Sequence, residues 1–132
     1  MQDTPNVRII ELLKSMNSYL SGITVEYIFK ARQNKIRFRV YETDLYMHSD
    51  IENLELSTRS KNCLHRAGYR TVGDIVNRIS CGDDLKAIRN CGAKSIDEIM
   101  LWLFLYNYEC LDPEMRKICV RELAELNGVI NR

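Results

Sequence analysis

The chain has 132 residues, 45% of them hydrophobic, and a formal net charge of +1. That length supports one good core, or one small domain with an accessory segment, and near-neutrality excludes a global positive field, so nucleic-acid binding must come from a local patch and be weak and salt-sensitive. Five cysteines without a Cys-x-x-Cys pair (Cys63, Cys81, Cys91, Cys110, Cys119), no apolar signal core and no run of membrane-spanning length predict a reduced, soluble cytoplasmic protein without a zinc site or membrane partner.

In chain order, Val7, Ile9, Ile10, Leu12, Leu13, Met16, Tyr19 and Leu20 recur at helical spacing behind Thr4 and Pro5, which predicts an amphipathic helix ended by Ser21-Gly22. Ile23, Val25, Tyr27 and Phe29, then Ile36, Phe38 and Val40, alternate around a polar Gln33-Asn34 turn, which predicts a β-hairpin, although Glu26 to Arg32 also fits a helix. Glu42 to Asp50 reads as a connection. Short helices are predicted near Ser60–Ala67, Val72–Ser80 and Asp84–Ile88, and a longer one from Ser95 through Phe104. Asp112-Pro113 is a cap and first-turn pair for a last helix that Gly128 closes. The fold class is therefore mainly α, with the hairpin making it α+β. Three parts are expected: an accessory segment at 1–50, a compact helical domain at 51–108 and a C-terminal helix at 109–132.

Within the helical domain one phrase is written twice, as Ala67-Gly68-Tyr69-Arg70-Thr71-Val72-Gly73-Asp74-Ile75 and as Cys91-Gly92-Ala93-Lys94-Ser95-Ile96-Asp97-Glu98-Ile99. Each copy reads as a tight hairpin between helices. The Gly permits positive φ, and the hydroxyl three residues on can cap the next helix with its acid at the third position. Ser95 with Glu98 fits that box well, whereas Thr71 with Asp74 fits less well because Asp is shorter. Free amides at a helix start beside a Gly make an anion site, and phosphate of nucleic acid is the anion it suits.

Two strings carry a resemblance: Glu55-Leu56-Ser57-Thr58-Arg59-Ser60-Lys61-Asn62-Cys63-Leu64-His65-Arg66-Ala67-Gly68, and Arg89-Asn90-Cys91-Gly92-Ala93-Lys94-Ser95-Ile96-Asp97-Glu98-Ile99. Over about residues 51–103 the chain resembles the C-terminal domain of the bacterial RNA polymerase α subunit. That resemblance implies a compact helical fold with two helix-hairpin-helix motifs, which contacts A/T-rich DNA through the minor groove and docks on transcription factors and the sigma subunit. It puts the DNA-contacting positions on Arg59, Asn62, Cys63, Gly92, Lys94, Ser95 and Glu98. Chemistry agrees for most of them. Arg suits a narrow A/T minor groove, Asn reaches sugar or base-edge acceptors, Gly92 admits close backbone approach and Lys94 brings charge to a phosphate. Glu98 is better suited to holding Ser95 or Arg59 in place. His65 and Ala93 stand where the family commonly has bases, which predicts weaker binding. The segment before Ile51 is far shorter than a polymerase-assembling domain, so an accessory protein rather than a polymerase subunit is expected.

Lys30, Arg32, Lys35, Arg37 and Arg39 fall within ten residues free of acid. They read either as the solvated face of a half-buried hairpin or as a second contact for phosphate or an acidic partner. Cys63 and Cys91 read as small buried hydrophobes, His48 and His65 as surface residues, and Trp102, Phe104 and Tyr106 as core or interface. No carboxylate pair, nucleophile with base, phosphate-binding loop or metal cluster is visible, so neither catalysis nor a cofactor is expected. Two functions remain open: a nucleoid-associated DNA-binding factor in transcription, with the N-terminal segment making a homodimer or partner contact, and a module that binds sigma factor or a transcription regulator without touching DNA.

Overall fold

The computed structural model describes residues 5–16, 37–80 and 91–128. They are mainly helical, with six α-helices and no strand among the described residues. The chain divides into two compact units, Tyr41–Cys110 and, by itself, Met1–Val40 with Leu111–Arg132.

The Tyr41–Cys110 unit opens on helix α2 (Asp44–Met47), whose cap Thr43 accepts a hydrogen bond from the Tyr46 amide at 3.3 Å. This helix corrects the expectation of a plain connection over Glu42–Asp50. Four residues are too few to show a 3.6-residue period, yet they carry a fully buried side chain. The Tyr46 hydroxyl donates to the Leu103 carbonyl at 2.9 Å, and its ring lies 5.8 Å from that of Tyr106. Burial drives the Tyr46 phenol well above its ordinary range, so it stays a neutral donor. Next, a 3-10 turn (Ile51–Asn53) is capped by Asp50, whose carboxylate accepts from the Glu52 amide at 2.8 Å. An isolated antiparallel bridge pairs Asp50 with Thr71, through Ile51 N to Arg70 O at 3.1 Å and Val72 N to Ser49 O at 2.8 Å.

Helix α3 (Thr58–Arg66) starts earlier than its predicted Ser60, because Ser57 supplies the cap and its hydroxyl accepts from Ser60 N at 3.3 Å. It buries Ser60, Cys63 and Leu64 and exposes Arg59, Asn62 and Arg66. Its end is a Schellman motif: Gly68 has φ +88°, Gly68 N bonds His65 O at 3.0 Å and Tyr69 N bonds Leu64 O at 3.0 Å. Helix α4 (Val72–Ser80) has its predicted bounds. Gly73 in its first turn packs against the Met47 carbonyl of α2. The helix predicted at Asp84–Ile88 lies outside the described residues. Helix α5 (Ala93–Glu109) is longer at both ends than predicted and is buried all round over 101–105. Near its end the fully buried Asn107 side chain grips the Tyr41 main chain, accepting from N and donating to O, both at 2.9 Å.

Before α4 the Thr71–Asp74 box forms in full. Asp74 Oδ2 accepts from the Arg70 and Thr71 amides at 3.0 Å each, and Thr71 Oγ1 accepts from Asp74 N at 3.1 Å. The Thr71 amide, then that of Arg70, holds the Asp74 carboxyl below its usual value. A carboxyl lowered in the folded state adds stability above its unfolded pKa of about 4 and loses it as pH falls through the folded value. Asp74→Asn should therefore melt lower than wild type near neutrality, with the gap shrinking below about pH 4. Thermal melts across that range check it, and a gap constant with pH would contradict it. The effect is small, since the carboxylate is solvent-exposed.

In the other unit, α1 (Pro5–Met16) packs on α6 (Pro113–Leu126). Asp112 caps α6 by accepting from Met115 N at 2.8 Å, and Gly128 follows it at φ +74°, as the cap signals predicted. Ile9, Cys119, Val120, Leu123 and Ala124 are buried. Asn127 repeats the device of Asn107, clasping Arg37 N and O at 2.9 and 2.7 Å. The predicted β-hairpin and the basic residues Lys30, Arg32 and Lys35 lie outside the described residues, apart from the irregular stretch 37–40. There Arg39 pairs with Glu122 at 3.3 Å, and Arg37 is exposed.

Candidate nucleic-acid interface

Two ties bring the two strings singled out in the sequence side by side within the Tyr41–Cys110 unit. The first is the disulfide pairing of Cys63 on α3 with Cys91 just before α5, with Cα atoms 5.6 Å apart. This corrects the expectation of two unlinked buried hydrophobes. A pairing across 28 positions leaves no local signal, and an odd cysteine count points away from it. The second tie is Glu98. Its Oε1 accepts from the Ser57 amide at 2.5 Å, and its Oε2 accepts from the Ser57 and Ser60 hydroxyls at 3.1 and 3.3 Å. Glu98 thus completes the cap of the helix that carries Arg59, doing from α5 what an acid at the third position of α3 would do locally. Ser57 and Ser60 join the site without having been foreseen in it. Their only signal in the sequence is a Ser-x-x-Ser spacing that lacks its acid.

The second copy of the repeat departs from its predicted form. Gly92 has φ −72°, ψ 164° and is the cap of α5, without a side-chain cap bond, whereas Gly68 has the positive φ. Ser95 is buried within the helix rather than capping it. The first-turn amides of Ala93, Lys94 and Ser95 are consequently the donors left over at this helix start. Apart from its immediate chain neighbours and the helix's own nearby backbone, no heavy atom of the described residues lies within 4 Å of where a Gly92 Cβ would stand, which leaves the backbone there open to approach.

Each of the seven sequence-derived positions lies on α3 or at the start of α5. Arg59, Asn62, Gly92 and Lys94 are exposed, Glu98 is half-buried, and the Cys63 and Ser95 side chains are buried beneath. Among the described residues the side chains of Arg59, Asn62 and Lys94 make no hydrogen bond or ion pair. Two exposed cations, one amide and the positive end of a helix are thus carried by the two elements that Cys63–Cys91 and Glu98 tie together, while the Glu98 carboxylate is taken up by three donors. Such a set of groups suits a polyanion with groove-edge acceptors. His65 and Ala93 are exposed, and His65 faces Glu52 at 3.6 Å, with Lys61 on the same carboxylate at 3.0 Å. No three His, Cys, Asp or Glu side chains converge as a metal set among the described residues.

Residues 41–103 match the family of the bacterial RNA polymerase alpha subunit's C-terminal domain. Across this segment, a little under half of its length, the chain is similar to that family. The α C-terminal domain match begins at Tyr41, before the Ile51 at which the sequence resemblance starts, and so includes α2 and its buried Tyr46. A DNA-directed RNA polymerase subunit alpha from Saccharopolyspora erythraea is 57% identical over 53 residues, 40% of this chain and 14% of the relative. One from Heliobacterium modesticaldum is 37% identical over 98 residues, 73% of this chain and 30% of the relative. One from Cutibacterium acnes is 55% identical over 49 residues, 37% of this chain and 14% of the relative. The protein thus spans less than a third of the length of these α subunits. No solved structure gives a significant match. No helix among the described residues is long and apolar enough to cross a membrane.

Proposed function

We propose that the Tyr41–Cys110 unit binds A/T-rich double-stranded DNA and serves bacterial transcription as an accessory, nucleoid-associated factor. The observation that carries this reading is the exposed set of Arg59, Asn62 and Lys94, whose side chains have no partner among the described residues, together with the open Gly92 backbone. Arg59 enters the minor groove, where a narrow A/T tract concentrates negative potential. Asn62 meets sugar or base-edge acceptors, and Lys94 with the α5 amides holds phosphate. Glu98 acts indirectly, by fixing the first turn of α3 through Ser57 and Ser60 and so aiming Arg59.

Fluorescence anisotropy with A/T-rich and G/C-rich duplexes tests this at low and near-physiological salt. Tighter binding to the A/T duplex is expected, with affinity falling steeply as salt rises. Arg59→Ala should weaken A/T binding by about tenfold or more while leaving the circular dichroism melt in place, since Arg59 is exposed. Wild-type affinity in that variant would sink the assignment. A second reading, docking on sigma factor or a regulator, draws support from the weakly basic rim, where His65 faces a carboxylate and Ala93 carries no charge. It predicts no duplex binding even at low salt.

A further inference from the structure

We propose that the Cys63–Cys91 pair is a reversible covalent modification site whose oxidised state sets the DNA-facing geometry; this rests on the DNA-binding reading above. Cys63 directly follows Asn62, and Cys91 directly precedes Gly92. The link therefore joins the two residues that flank the face, one from α3 and one from the entry to α5. The Glu98 bonds lie further along, at Ser57 and Ser60, so the disulfide is the tie that acts directly on the approach to Gly92. A Cα separation of 5.6 Å is within the span a disulfide bridges without moving backbone. Cys91 is half-buried and Cys63 buried, so attack begins at Cys91 and Cys63 resolves it.

The oxidant is a small-molecule disulfide of the glutathione class. Cys91 thiolate attacks one of its sulfurs, breaking that S–S bond and expelling one thiolate, which takes up a proton. Cys63 thiolate then attacks Cys91 Sγ of the mixed disulfide and expels the second. Two protein thiols are oxidised and one small disulfide is reduced to two thiols. Cys119 is no competitor, since burial pushes its thiol up to about 12. In the oxidised state Asn62 and Gly92 are held together before DNA arrives, which lowers the ordering cost of binding.

The full chain is equilibrated in oxidised or reduced glutathione, quenched in acid, denatured, alkylated and mapped by peptide mass spectrometry, in parallel with melting and A/T-duplex anisotropy. We expect a linked Cys63–Cys91 peptide only in the oxidised sample, a melting midpoint higher there by roughly 10–20 °C, and duplex affinity higher by about three- to tenfold. Cys91→Ala should show none of these differences between buffers. Free thiols at both positions in the oxidised sample overturn the modification site. A formed link with equal affinity in both states overturns its control of the DNA face. A formed link with no DNA binding in either state supports the modification and overturns the DNA reading beneath it.

Discussion

Tyr46→Ala is expected to lower the stability of the Tyr41–Cys110 unit by about 3–5 kcal/mol, the range for emptying a fully buried aromatic site. Tyr46 is 0% exposed, meets Tyr106 ring to ring, and donates its hydroxyl to Leu103 O. Small domains have only roughly 5–15 kcal/mol in total, so the variant should be largely unfolded at temperatures where wild type is intact. Tyr46→Phe separates the two contributions. It keeps the ring and removes one buried hydrogen bond, at about 1 kcal/mol. Urea titration followed by Trp102 fluorescence reads both variants. An Ala variant within about 1 kcal/mol of wild type would mean that α2 is an appendage rather than part of the core.

Gly73→Ala should destabilise the same unit, against the usual expectation for a helix position. Helix propensity favours Ala over Gly by about 1 kcal/mol. Here a Cβ would stand 2.5 Å from the Met47 carbonyl oxygen and 3.4 Å from Met47 Cβ. The near neighbour is backbone, so α2 and α4 must move apart, and overpacking of that kind costs about 1–3 kcal/mol. The clash therefore outweighs the propensity gain, and the melting midpoint should fall. A rise would show that the Met47 carbonyl yields freely. Because α2 carries Tyr46, a combined Gly73→Ala and Tyr46→Phe variant should show non-additive losses.

Local chemistry explains which elements can be read from the sequence alone. Val72–Ser80 keeps its predicted bounds because Thr71 and Gly68 mark its start with side-chain and backbone signals that need nothing distant. Asp112, Pro113 and Gly128 do the same for α6. What stays hidden depends on partners far along the sequence. Ser57 finds its acid in Glu98, 41 positions away, and Tyr41 finds its hydrogen bonds in Asn107, 66 positions away. The repeat shows the same limit within one motif. Its two copies share a spelling, but Thr71 caps a helix while Ser95 is buried inside one, because Glu98 is committed to α3. The candidate site is legible through the two strings that resemble a known family, whereas the ties that bring those strings together are not.

DNA binding by the α3–α5 face can be read residue by residue in an amide chemical-shift titration of the isotope-labelled protein with an A/T-rich duplex. Shifts should concentrate at Arg59, Asn62, Gly92, Ala93, Lys94 and Ser95 and saturate with one affinity that weakens with salt. Shifts confined to other surfaces, or none at low salt, would contradict DNA binding there and assign the α3–α5 face to a different partner.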